Sequence, residues 1–288
     1  VSASMFYLPR LSWMSSKEKC TCDHNTMTGT STMVSIKRLV IPEDDQGPDR
    51  IIQALQYANQ ICDKGAADEV VFLVPVKNSL DSGSLKARLG PSMHRALVKG
   101  EAVKLPSGKI LRCETLSTLR WLTKRSVVIA VYATQNMMDK IDTLDNLVAV
   151  VALPWTATSI DSWQRTWSPQ VIGQLAPETQ ALIVDPVVEQ ALKSISGVVN
   201  RAHNVLHPAD VAHAKRILRI LRSYNHDEPA ENIRLWAIRN GWLPKAAEEL
   251  EAISQKAFSL GAKPKLENPE HAEQLYIRWC DTAKLAVQ

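Results

Sequence analysis

Three adjacent carboxylates, at Glu43, Asp44 and Asp45, are the first residues of this chain whose types could support chemistry. They follow the apolar run 36–41, which predicts a β-strand, and they precede Pro48, which suits the first turn of a helix. Carboxylate oxygens at the end of a parallel strand are ligands that Mg²⁺ prefers, so this loop is a candidate metal site. The alternative is that the acids complement the positive end of the helix beginning at Pro48.

A second polar loop, residues 77–84, follows the apolar run 70–76 and is the better candidate for an anion site. Its polar groups include Lys77, Asn78 and Ser82, and it leads into a predicted helix whose first amides lack partners. Ordinary surface loops share this composition, so an exposed connection without a ligand is the alternative.

Asn136 and Trp155 follow two further predicted strands and would line the same rim if those strands are neighbours in the sheet. Such a rim would suit an enzyme or sensor of a phosphorylated small molecule such as a nucleotide, or a metal-dependent nuclease. The sequence contains no glycine-rich phosphate loop and no nucleophile-elbow, zinc-protease or kinase signature that would specify a reaction. No cofactor is predicted, except Mg²⁺ if the acidic loop is a site.

Cationic side chains line the outer side of a helix predicted over residues 211–224. Apolar residues repeat with helical spacing on one side, which leaves Lys215, Arg216, Arg219 and Arg222 on the other. A cationic ridge of this kind can contact the phosphates of a nucleic acid. A solvated helix face is the alternative, because the acidic residues elsewhere in the C-terminal third almost balance these charges.

Two short helices joined by a tight turn are predicted over residues 230–260, with Arg234 and Arg239 beside a tryptophan. This segment resembles the C-terminal DNA-binding module of actinobacterial nucleoid-bridging proteins. The matching positions are Ile233, Arg234, Trp236, Ala237, Asn240, Gly241 and Trp242. The resemblance implies DNA contact, although the family's Arg-Gly-Arg loop is replaced here by Leu243-Pro244-Lys245. The alternative is a packing unit in which Trp236, Leu250 and Ile253 fill a small core.

The composition is that of an ordinary globular protein, with 45% hydrophobic and 22% charged residues among 288. A net charge of +4 permits an acidic partner without demanding one. The five cysteines are odd in number and scattered, which suits a reducing compartment. We see no signal-peptide pattern, and the longest apolar run, 147–155, is too short to span a bilayer, so we expect a cytoplasmic protein without a membrane partner.

Strands and helices alternate from residue 34 to about residue 200, which predicts a Rossmann-like α/β domain with a doubly wound, mainly parallel sheet. Within it we predict a hairpin over 103–111, a helix around 116–123 and a last strand at 181–184. Residues 1–33 lack periodicity and are predicted to form a disordered tail.

Strands are not predicted beyond residue 200, where four helical patterns predict an all-α module over residues 201–288. We therefore predict a regulatory or interaction protein without catalytic activity whose helical module contacts a nucleic acid or another protein. An enzyme or sensor that uses the strand-end loops is the alternative. The ligand, the strand order and the oligomeric state are left open by the sequence.

Overall fold

The computed structural model describes residues 36–42, 49–175, 177–201 and 203–286. Its strands are β1 Lys37–Val40, β2 Glu69–Val74, β3 Val103–Lys104, β4 Ile110–Thr115, β5 Ser126–Ala133, β6 Leu147–Pro154 and β7 Gln170–Val171. Its α-helices are α1 Arg50–Asp63, α2 Gly83–Lys99, α3 Gln135–Asp142, α4 Asp161–Trp167, α5 Pro186–Ser196, α6 Pro208–Ser223, α7 Ala230–Arg239, α8 Pro244–Phe258 and α9 Pro269–Ala286. A 3-10 helix, Lys77–Asp81, precedes α2.

The strands of the described residues form one seven-stranded sheet in the order β3-β4-β2-β5-β6-β1-β7. All neighbouring strands are parallel except β3, which pairs antiparallel with β4 in the predicted hairpin. The predicted fold class, a mainly parallel α/β sheet with a C-terminal run of helices, is confirmed.

Helices cover both faces of the sheet, and strand β2 shows how the side chains divide between them. Phe72 and its neighbours two residues away pack with α1 and α2, whereas Val71 and Leu73 pack with α3 and α4. Every residue of β2 is buried. A strand covered on both faces is apolar without alternation, which is why the sequence made this one easy to predict.

Two predicted elements are wrong. Residues 116–123 form turns instead of a helix, because Thr115 and Thr118 bond to each other and to nearby backbone, which competes with helical hydrogen bonding. The apolar residues 181–184 form no strand, since Ile183 is buried in the helical core instead of pairing with the sheet. The sheet edge beside β1 is occupied by β7.

The helices after residue 183 pack around a core of their own, separate from the two cores of the sheet. Trp236, Leu250 and Ile253 are all buried there, so the predicted packing of α7 against α8 is confirmed. Helix α5 packs in the same core, with Leu192 and Ile195 fully buried, so the helical core begins N-terminal to residue 201. Among the described residues, no helix has the length and apolar character needed to cross a bilayer.

Candidate functional site

Helix α6 is amphipathic and carries the predicted cations on its polar side. Pro208 lies in its first turn, and the His207 ring accepts a hydrogen bond from the Ala209 amide at 3.2 Å, which satisfies one free donor. The buried residues of α6 are Ala214, Ile217, Leu218, Ile220 and Leu221. Burial of this apolar face against α5 and α8 leaves the opposite face in solvent.

Three cations of α6, Lys215, Arg216 and Arg219, are exposed and line an open cavity of about 510 Å³. Lys265 and Glu267, in the segment between α8 and α9, form its other wall. The four cations Lys215, Arg216, Arg219 and Lys265 are called the basic groove below. Glu267 contributes one negative charge, so the local excess is three positive charges, which concentrates anions at this surface.

Arg216 is held in place by a histidine beside the groove. Its Nη2 atom lies 3.0 Å from Nδ1 of His213. Burial lowers the pKa of His213, and the charge of Arg216 lowers it further, which keeps the imidazole neutral at pH 7. A neutral ring can accept the guanidinium hydrogen through Nδ1, so His213 orients Arg216 without adding charge.

Arg222, the fourth cation predicted on α6, is half-buried and contacts the segment that forms the other wall of the cavity. Its Nη2 atom donates to the carbonyl oxygen of Leu260 at 2.8 Å. Leu260 follows Ser259, the C-cap residue of α8, so Arg222 lies near the helix end where a cation is favourable. Arg222 therefore fixes the spacing between α6 and the chain that carries Lys265.

Arg239 lies on α7, and its guanidinium is engaged inside the protein. Nε donates to the carbonyl of Thr166 at 2.5 Å, Nη1 to Gln180 at 2.7 Å and Nη2 to Arg165 at 3.1 Å. Arg165 and Thr166 belong to the last turn of α4, so the cation sits at the negative end of that helix. Arg239 thus joins the helical module to the sheet domain.

Arg234, on the same helix, is also engaged within the chain. Its Nε atom lies 3.0 Å from Oε2 of Glu251 on α8, and its Nη2 atom lies 3.2 Å from Oγ of Ser162 on α4. Arg165 reaches back to α7 through Glu231 at 2.7 Å. The junction between the two parts is therefore built from arginine side chains, and α7 presents Arg234 and Arg239 to α4 and α8.

Two of the candidates at the carboxyl edge of the sheet, Ser82 and Trp155, are brought together by a residue that the sequence did not single out. Tyr132, near the end of β5, places its hydroxyl 3.0 Å from Oγ of Ser82. Its ring packs edge-on against Trp155 with centroids 4.9 Å apart. The sequence analysis expected a shared rim if the strands are neighbours in the sheet. Strands β2, β5 and β6 lie next to one another in that order, and these side chains meet on one rim.

The other strand-end candidates do not share this contact. Lys77 and Asn78 are exposed in the 3-10 helix before α2, and Asn136 is exposed in the first turn of α3. Burial raises the pKa of the Cys113 thiol on β4 to about 11, the charge of Glu114 raises it further, and the charge of Lys77 opposes that rise. Residues 43–45, the predicted acidic loop with its Mg²⁺ alternative, lie outside the described residues.

A third polar cluster, in the helical module, was missed entirely. Oδ2 of Asp185 lies 2.6 Å from Nδ1 of His226, whose Nε2 atom lies 3.0 Å from the hydroxyl of Tyr276. Asp185 also caps α5 by accepting from the amide of Val187 at 2.8 Å. The Asp185-Pro186 pair is a helix-start signal, but no local pattern connects it with His226, 41 residues away. The cluster links α5, the α6–α7 connection and α9.

One family model matches the chain, over residues 184–280, and it is described as "Domain of unknown function (DUF1889)". The match begins just after Ile183, the first buried residue of the helical core, and it includes the whole basic groove. A comparison with curated proteins and one with solved structures each found no match.

Proposed function

We propose that the helical module binds the phosphate backbone of a nucleic acid in the basic groove and that the protein acts as a regulatory or interaction protein. The observation that carries this proposal is the convergence of Lys215, Arg216, Arg219 and Lys265 on one open cavity. Backbone phosphates are recognised mainly through such cations, without sequence information in the contact itself.

The open form and the charge of the groove support a backbone ligand over a small anion. Three of its cations, Lys215, Arg216 and Arg219, are exposed over two successive turns of α6, so they present donors along the helix instead of a closed pocket. Arg216 is oriented by His213 at 3.0 Å, which reduces the side-chain entropy lost on binding. The net charge of +4 adds a weak attraction for a polyanion at longer range.

The resemblance to nucleoid-bridging proteins is compatible with this proposal but shifts the contact surface. The matching helix pair is α7 and α8, where Arg234 and Arg239 bond to groups of the same chain. We therefore assign the phosphate contacts to α6 and assign to the α7–α8 pair the role of holding the module against the sheet. The free thiols of Cys62, Cys113 and Cys280 suit the cytoplasm, where we place this activity.

The salt dependence of DNA binding tests the proposal. If the four groove cations each contact one phosphate, the logarithm of the binding constant falls with the logarithm of salt concentration with a slope of about −3.6. Changing Lys215, Arg216 and Arg219 to glutamate removes three contacts, so we expect the slope to approach −1 and the affinity at low salt to collapse. Fluorescence anisotropy with a labelled random duplex measures both quantities.

A matched control carries the same change in charge at other sites of the module. Lys256, Arg278 and Lys284 are exposed on α8 and α9 and do not line the basic groove. Changing these three to glutamate alters net charge equally, so a long-range effect alone would weaken binding in both variants. Equal affinity loss in the two triple variants, or undiminished binding by the groove variant, would show that the groove is not the binding surface. Capture of a protein partner by the groove in place of DNA would also contradict the nucleic-acid proposal.

A further inference from the structure

Tyr132, at the carboxyl end of β5, has an unusual backbone. Its φ angle is +54°, in the left-handed region that residues with a Cβ atom rarely adopt. The pairing of β5 with β6 shifts register between Val131 and Ala133, so Tyr132 is the extra residue of a bulge. Such conformations are unfavourable and persist where the surrounding structure holds them in place, often at functional sites.

The bulge aims the ring of Tyr132 at Trp155, whose indole is 58% exposed. Trp155 is held at its backbone, because its amide donates to the carbonyl of Ala133 at 3.2 Å. The two rings are inclined at 77°, an edge-to-face pair. An edge-to-face partner fixes the indole plane and leaves the rest of its surface to solvent, which makes Trp155 a preformed stacking platform.

Polar groups from the segment that follows β2 lie on the hydroxyl side of Tyr132. The hydroxyl of Tyr132 lies 3.0 Å from Oγ of Ser82 and 3.4 Å from Oγ of Ser84. Arg88, one turn further along α2, is exposed and lies 3.4 Å through Nε from a carboxylate oxygen of Asp49. The rim therefore offers an aromatic face and two hydroxyls joined through Tyr132, with a guanidinium one helical turn beyond Ser84, at the sheet edge where α/β proteins hold their ligands.

We propose that this rim binds a small molecule that contains a nucleobase, namely a nucleoside or a nucleotide. The base stacks on the exposed indole of Trp155, and the sugar hydroxyls or a phosphate bond to Ser82, Ser84 and Arg88. Tyr132 is a positioning residue that fixes the indole and the Ser82 hydroxyl at once. The site is built from the sheet domain, so it is independent of the basic groove and of the nucleic acid proposed to bind there.

Isothermal titration calorimetry of the full chain with the four common ribonucleosides, their monophosphates and ribose phosphate tests the site. We expect at least one nucleoside or nucleotide to bind. Removal of an aromatic side chain on which a base stacks weakens binding about 5- to 100-fold. Trp155→Ala is therefore expected to weaken binding by at least about fivefold. Tyr132→Phe keeps the ring and removes only the hydroxyl, so we expect a loss of about three- to tenfold.

Trp121 provides a matched control, because it is 65% exposed yet is not in contact with Tyr132 or Ser82. Trp121→Ala is expected to bind as the unchanged protein does. The proposal is overturned if none of the nucleosides or nucleotides binds, if ribose phosphate alone binds, or if Trp155→Ala and Trp121→Ala weaken binding equally. Tyr132→Phe alters no exposed surface of the indole, so its effect stands even if Trp155→Ala lowers stability.

Discussion

Replacing Arg239 with alanine separates the two roles that an arginine on α7 can have. If Arg239 holds the helical module against the sheet, the variant loses stability and keeps its nucleic-acid affinity. If it is a DNA contact, as the resemblance of its segment suggests, the variant loses affinity and keeps its stability. The structure favours the first outcome, because three backbone carbonyls accept hydrogen bonds from this guanidinium.

The size of the loss follows from those three bonds. A hydrogen bond from a charged donor contributes about 1.5–3 kcal/mol, but such contributions do not add when one side chain makes them all. Arg239 is half-buried, so water can reach some of the three carbonyl groups that lose their hydrogen bonds in the variant. Folding removes part of the hydration of the guanidinium, and this burial lowers the pKa of Arg239. We expect a net loss of about 3 kcal/mol in the free energy of unfolding, or about 6–12 °C in Tm.

Urea denaturation followed by circular dichroism measures this loss, with DNA anisotropy measured on the same samples. Arg239→Lys keeps one charge but cannot reach three carbonyls, so we expect a loss of intermediate size. Arg120→Ala removes an exposed arginine and is expected to change stability by less than about 0.5 kcal/mol. A stability of Arg239→Ala within that margin of the unchanged protein, together with weaker DNA binding, would refute the assignment.

Two further predictions concern titrating groups. Because the pKa of Cys113 is raised to about 11, its thiolate fraction at pH 8 is about 100-fold lower than that of an ordinary thiol, and iodoacetamide labelling followed by mass spectrometry should be slower by that factor. Burial acts to raise the pKa of Asp185, but hydrogen bonds from His226 and two amides lower it overall. A lowered folded pKa gives stability that is present above the unfolded value of 3.8 and is lost as pH falls through the folded value. Asp185→Asn should therefore lose stability at pH 7 and show a shallower acid-induced loss below pH 4 by urea denaturation; unchanged acid sensitivity would contradict the His226 contact.

Much of the fold was predictable because the spacing of apolar residues along the chain indicates most of its strands and helices. The buried strands β2, β5 and β6 are continuous apolar runs, and the helices of the C-terminal module repeat their apolar residues with helical spacing. The failures lie where a short apolar segment has more than one partner. Ile183 is apolar enough for a strand, yet it packs on helices, and local spacing does not distinguish the two environments.

The carboxyl-edge site was predictable only in part. The rule that ligands gather where parallel strands end identified Ser82 and Trp155. It did not identify Tyr132, because nothing in the sequence places a bulge at that residue or reveals that its φ angle is positive. The strand order, which makes β5 the neighbour of both β2 and β6, was needed before these three side chains could be joined.

The sequence alone determined the amphipathic character of α6 and α7, since helical spacing states which side of each helix is apolar. It therefore identified both Arg219 and Arg239 as candidate contacts on the polar sides of neighbouring helices, and it favoured Arg219 because the Arg-Gly-Arg loop of the resembling family is missing after α7. Only the tertiary structure shows that their surroundings differ: the polar side of α7 packs on the end of α4, whereas that of α6 faces an open cavity. Periodicity reports which face of a helix is buried in its core, but the partners of the polar face come from distant parts of the chain.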